Sequence, residues 1–159
     1  MSLSPREIAA NALIREEGLL QNSIGHFIYW FSQLEFTIKS RLANALDLPE
    51  DLFDIIIGPY DFAMLCTVTE RTLMRDASES DQAKIRKYFN DCRKLNQEAR
   101  VIVAHGSWTF EGTRHVSRTT LTAKHYFAKA ADLDDRAKET KRLIAILYDD
   151  GDSNYSSAP

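Results

Sequence analysis

The chain is short of the residues that interrupt regular structure. Only 6 glycines and 4 prolines occur in 159 residues, which excludes a turn-rich β-fold and leaves long helices as the favoured elements. There are 2 cysteines, Cys66 and Cys92. Two thiols exclude a dense disulfide framework, and both fall within apolar helical stripes. Buried, reduced thiols are therefore expected, as in an intracellular, cytoplasmic protein. No apolar run approaches the roughly 18 residues of a membrane span, and the polar opening Pro5-Arg6-Glu7 lacks the character of a secretory leader. Positive charge is in deficit. A net charge of −3 excludes overall attraction to nucleic acid or anionic lipid, so such binding must come from a local patch. No glycine loop is present to cradle phosphates. His26, His105, His115 and His125 show no close ligand spacing with the cysteines or each other, so no metal or cofactor is expected.

What the chain does have is helical periodicity. Apolar residues make up 44%, enough for one domain with a real core at this length. The expectation is an all-α fold: a bundle of about five helices over residues 1–148, a small β-hairpin after the fourth, and a polar, disordered tail over 149–159. Ser4-Pro5-Arg6-Glu7 reads as a helix start, with serine at the cap and proline at the first position. Ile8, Leu13, Ile14, Leu19 and Leu20 form a weak stripe, so this first helix is expected to be short or loosely packed, with Asn22-Ser23 capping the next. Residues 24–46 then carry a clean face of Ile24, Phe27, Ile28, Phe31, Leu34, Ile38, Leu42 and Leu46. Glu35 falls within that face. A buried carboxylate needs a partner, and the two alternatives are Arg100, or Lys39 at the rim. Tyr29 and Trp30 lie off the face, as a dimer surface or a second core face. After Pro49, residues 52–57 add one turn, Gly58-Pro59 is a break, and 60–75 form a helix with Phe62, Leu65, Cys66, Thr69 and Leu73 inward.

The longest stripe runs Ile85, Tyr88, Phe89, Cys92, Leu95, Ala99, Ile102, Val103. It ends at Gly106, read here as a left-handed helix stop. This helix carries Arg100 and, five residues later at its carbonyl end, His105. In an ideal helix the two lie roughly 140° apart. They converge on one ligand only if the end unwinds or a second copy supplies one of them. Beyond Gly106 the pattern shifts: Trp108 and Phe110 alternate with Thr109, Glu111-Gly112 reads as a turn, and Thr113 to Leu121 is rich in Thr, Val and polar residues, a small hairpin. From Gly112 to Ala131 there is no acidic residue, and Arg114, Arg118, Lys124 and Lys129, with His115 and His125, make a local basic patch. A final helix spans 132–147, with Leu133, Ala137, Thr140, Ile144 and Leu147 inward.

An arginine, a histidine and a basic patch suit metal-free RNA cleavage. Histidine titrates near neutrality and can move the 2′-hydroxyl proton or protonate the leaving oxygen. A guanidinium can hold the negative charge that gathers on phosphorus. Arg114, Arg118 and Lys124 could hold the backbone. The structural alternatives are a His105 that caps carbonyls and an Arg100 paired with Glu35 or Glu98.

The segment Arg100-Val101-Ile102-Val103-Ala104-His105-Gly106-Ser107-Trp108 resembles the R-x(4–6)-H motif of the HEPN superfamily, and Trp30-Phe31-Ser32-Gln33-Leu34-Glu35 resembles the first core helix of bacterial members. The resemblance implies an all-α bundle that dimerises with the motif helices facing, and a metal-independent ribonuclease of a toxin–antitoxin or antiviral system, with an antitoxin as possible partner. It implies Arg100 and His105 as the catalytic pair, with Glu35 as an accessory acid. Asn96 joins Glu35 as a candidate to orient the arginine. At one position the chain departs from the pattern. Val101 stands where active members commonly have Asn, Asp or His, which keeps a catalytically inactive interaction domain as the alternative.

Overall fold

The computed structural model describes residues 4–109, 111–117 and 119–152, with side chains described to Tyr148. Helix α1 (Pro5–Ala45) opens with the expected box: Ser4 Oγ accepts from the Glu7 amide, and the Glu7 carboxylate accepts from the Ser4 amide. It runs without a break to Ala45. The stop expected at Asn22-Ser23 does not form, because Ser23 is buried in the helix interior and Gly18 and Gly25 have open space around them. A weak cap signal does not interrupt a helix that packing holds on one side. Helix α2 (Glu50–Ile56) follows Pro49, and α3 (Phe62–Met74) starts at Asp61, whose side chain accepts from the Met64 amide.

The next rod has three parts: α4 (Glu79–Leu95), one π-helical turn (Asn96–Arg100) and α5 (Val101–His105). Strands β1 (Ser107–Thr109), β2 (Gly112–Val116) and β3 (Ala123–Tyr126) form an antiparallel sheet in that order. The hairpin expected here thus gains a third strand. Helix α6 (Ala130–Asp152) closes the fold. It continues through four residues expected to belong to the tail. The rest of that tail, from residue 153, lies outside the described residues. The fold is the all-α bundle of five rods with a small sheet that the periodicity indicates.

The core lies where α1, α3, the α4 rod and α6 meet. Phe27, Phe31, Leu34, Ile38 and Leu42 of α1, Leu65 and Cys66 of α3, Phe89, Cys92 and Leu95 of α4, and Leu133, Ala137 and Leu143 of α6 are buried together. Ile28 and Leu46, expected on the α1 core face, are exposed. Trp30 belongs to a second packed face. It is half-buried, donates from Nε1 to His26 Nε2 at 3.0 Å and lies 4.5 Å beneath the Lys141 ammonium. Tyr29 stays exposed. Polar ties join the rods: Tyr88 donates to the Leu143 carbonyl at 3.1 Å, and Arg93 of α4 pairs with Glu70 of α3. Both cysteines are free and buried. Burial pushes the Cys66 thiol up to about 12, against the pull of Arg93, and pushes Cys92 and Tyr88 up as well. Neither thiol is a nucleophile at neutral pH. Among the described residues no helix is long and apolar enough to cross a membrane.

Candidate functional site

The rod that carries Arg100 and His105 keeps its apolar stripe through a change of pitch. Tyr88, Phe89, Cys92, Leu95, Ala99, Ile102 and Val103 are buried, as the spacing indicates. Between Leu95 and Val101 the turn widens, and the Val101 amide reaches back five residues to the Asn96 carbonyl. Such single π-turns are uncommon and concentrate at functional positions. Arg100 is the last residue of the widened turn.

Gly106 ends the rod for a different reason from the one expected. Its φ of −77° is extended, not left-handed. A Cβ at Gly106 would lie 1.9 Å from Thr113 Oγ1 and 2.6 Å from the Ile102 carbonyl oxygen. Glycine is needed so that β2 can lie directly against the helix end. Trp108 completes the corner. Its indole Nε1 donates at 3.1 Å to the Val103 carbonyl, one of the acceptors a helix leaves unpaired at its C-terminus. The aromatic of the motif is thus a structural clamp. Left-handed glycine geometry occurs instead at Gly112, with φ of 103°.

The structure commits the two acids offered to Arg100 elsewhere. Glu35 pairs with Lys39 at 2.9 Å, so the expected Glu35–Arg100 pair is not formed. A glutamate four residues before a lysine finds that partner within its own helix. Glu98 lies 3.6 Å from Arg136 of α6. Arg100 is half-buried and His105 exposed. Among the described residues neither side chain makes a hydrogen bond or ion pair, and the half-buried Asn96 makes no side-chain bond that would orient the arginine.

The basic patch is divided by the pleat. Directly paired residues share a face of a sheet. Ser107, Arg114 and His125 form one row, and Trp108, Thr113 and Tyr126 form the neighbouring row on the opposite face. Thr113 is buried and Arg114 exposed, so the Arg114 row looks outward. His115 pairs with Lys124 on the face that Thr113 occupies. Arg114 and Lys124, expected to act together, therefore lie on opposite faces. Arg118 lies outside the described residues. His125, already part of the basic patch in the sequence, is the residue that strand register sets beside Arg114.

A cleft of about 750 Å³ is elsewhere. It lies between Arg41, the first half of α4 around Lys84 and Tyr88, and Arg142 and Leu147 of α6. It includes no residue of the motif. Among the described residues no group of three His, Cys, Asp or Glu side chains is placed to hold a metal ion. No family model, curated protein or solved structure matches the chain. The motif corner presents a guanidinium and an imidazole whose side chains have no partner among the described residues, while Arg114 and His125 lie on the sheet face opposite the one that Thr113 turns to the helix end.

Proposed function

We propose that the protein is a HEPN-like, metal-independent endoribonuclease that works as a homodimer, in a toxin–antitoxin or antiviral setting. One observation supports it above the others: the side chains of Arg100 and His105, near the end of the motif rod, make no hydrogen bond or ion pair among the described residues. Groups kept free in this way are available to an outside anion.

In the reaction, the His105 imidazole takes the proton from a ribose 2′-hydroxyl. The 2′-oxygen attacks phosphorus, the bond from phosphorus to the 5′-oxygen breaks, and a protonated imidazole returns a proton to that oxygen. The Arg100 guanidinium holds the charge on the non-bridging oxygens with paired hydrogen bonds. The Arg114 and His125 face holds flanking phosphates. On the α-helical stretch Val101–His105, five residues turn the chain roughly 140°. A second copy supplying one member of the pair resolves that separation.

The test is RNA cleavage in EDTA by the full chain, His105→Ala and Arg100→Ala. The expected result is cleavage by the native chain and a loss of about 10²-fold or more in each variant. Equal cleavage by all three, or none by the native chain on single-stranded and hairpin RNA, rejects the proposal.

A specific observation favours the second reading, an inactive interaction domain: Val101 puts an apolar side chain beside the arginine, and the net charge is −3. Arg100→Ala would then dissolve a complex while RNA is never cut.

A further inference from the structure

Among the described residues, nothing covers the first part of α1. Every residue from 4 to 17 is exposed, and the first buried residue of the helix is Leu20. Residues 5–19 form an arm about 22 Å long at 1.5 Å per residue. A lone helix of that length is marginal in water, and Gly18 at its root weakens it further. The arm is also not a polar spacer. Ile8 is 57% exposed, Leu13 59%, Ile14 67% and Leu19 51%.

The line of residues that builds the core continues onto the arm. Leu20, Phe27 and Leu34 are buried at steps of seven, and Leu13 stands one step earlier, exposed. With the intervening positions the arm's line reads Arg6, Ala9, Leu13, Glu16, the three-and-four spacing of a coiled-coil seam. That line is self-complementary when turned end for end about Asn11. Arg6 comes level with the other copy's Glu16, and Ala9 with the other copy's Leu13. Flanking the line, Glu7 comes level with Arg15. Side by side in the same direction, Arg6 would meet Arg6 and Glu16 would meet Glu16. Ala9, Ala10 and Ala12 let two backbones approach closely. The overlap uses the whole free length of each arm and stops where the other copy's bundle begins. Arg6 and Arg15 against Glu7, Glu16 and Glu17 leave the arm slightly acidic, which disfavours an anionic lipid surface.

We propose that the arm is a homodimerisation element, and that two copies pair their arms antiparallel about Asn11. The interface falls at the small end of specific protein contacts, below roughly 800 Å² per partner, so association in the micromolar range is expected. This does not rest on the nuclease reading, and failure of RNA cleavage leaves it intact.

The experiment is analytical ultracentrifugation of the full chain across roughly 1–200 µM, a range chosen for a weak interface, with far-UV circular dichroism of each variant. The native chain is expected to dimerise and Leu13→Asp to stay monomeric with its bundle folded. Arg6→Glu and Glu16→Arg are each expected to weaken association by roughly tenfold, since two symmetry-related pairs turn repulsive. The double reversal Arg6→Glu/Glu16→Arg is expected to restore it. A native chain that remains monomeric overturns the proposal. So does a dimer indifferent to all arm variants, a double reversal that fails to rescue, or an arm that seats on lipid vesicles in a monomeric chain.

Discussion

At the start of the motif rod Lys84 bonds to Asp81 at 2.9 Å, Lys87 to Asp91 at 3.0 Å and, further along, Arg93 to Glu70. At its end Arg100 and His105 have no such partner among the described residues. The same rod thus ties down some of its charges, Glu98 with Arg136 among them, and leaves Arg100 and His105 open near its end. Of these pairs, Arg93 and Glu70 are partly buried between α4 and α3, where an uncompensated charge would be costly, whereas Lys84 and Lys87 are exposed. The rod ends in a corner built from backbone contacts: Gly106 against Thr113, and Trp108 on the Val103 carbonyl. Side chains that do not hold the fold together are free to act on something outside it.

The contrast can be broken most severely at His105. His105→Ala is expected to reduce RNA cleavage by about 10²–10⁴-fold while shifting stability by no more than about 0.5 kcal/mol, as for other exposed residues. Paired activity assays and urea melts check both halves, and a large loss of stability would place the imidazole among the structural groups. Next is Gly106→Ala. A methyl group forced against Thr113 and the Ile102 carbonyl is expected to cost about 1–3 kcal/mol, read as a lower urea midpoint, with cleavage lost through the displaced corner.

Among the paired charges, Glu70→Ala leaves a partly buried Arg93 uncompensated and is expected to cost about 1–2 kcal/mol. Arg100→Ala, by contrast, should leave the melt within about 0.5 kcal/mol of the native chain. Equal costs at these two positions would erase the distinction between paired and open charges. A smaller, pH-dependent effect comes from Cys66. Its folded value of about 12 lies above a thiol's ordinary 9.0. The unfolded chain therefore loses that proton first, and stability should fall as pH rises from about 9 toward 12. Thermal melts across that window should show the decline, and Cys66→Ala should make it shallower, Cys92 and Tyr88 supplying the rest. The smallest effect is at Lys87, exposed on its rod. Lys87→Ala should change stability by less than about 0.5 kcal/mol.

The parts of the fold legible in the sequence were those set by repeated burial. The stripe from Tyr88 to Val103 and the face from Phe27 to Leu42 repeat a single physical preference many times, and both helices lie where the spacing puts them. Features that hang on one contact were not legible. Asn22-Ser23 looks like a cap only until Ser23 is seen packed inside α1. Gly106 reads as a left-handed stop because the sequence does not reveal Thr113 lying against it. The widened turn at Asn96–Arg100 has no signature in apolar spacing, since Leu95 and Ala99 keep their places on the stripe. At the candidate site, the residues of the Arg100 and His105 motif were legible, but their company was not. Glu35 found Lys39 on its own helix, and strand register separated Arg114 from Lys124.

The Trp108 bond to the Val103 carbonyl has one more effect. With Val103 held by Trp108 and Gly106 lying against Thr113, a substitution that loosens this corner also shifts the backbone that carries His105, so the fold and the candidate site share one joint.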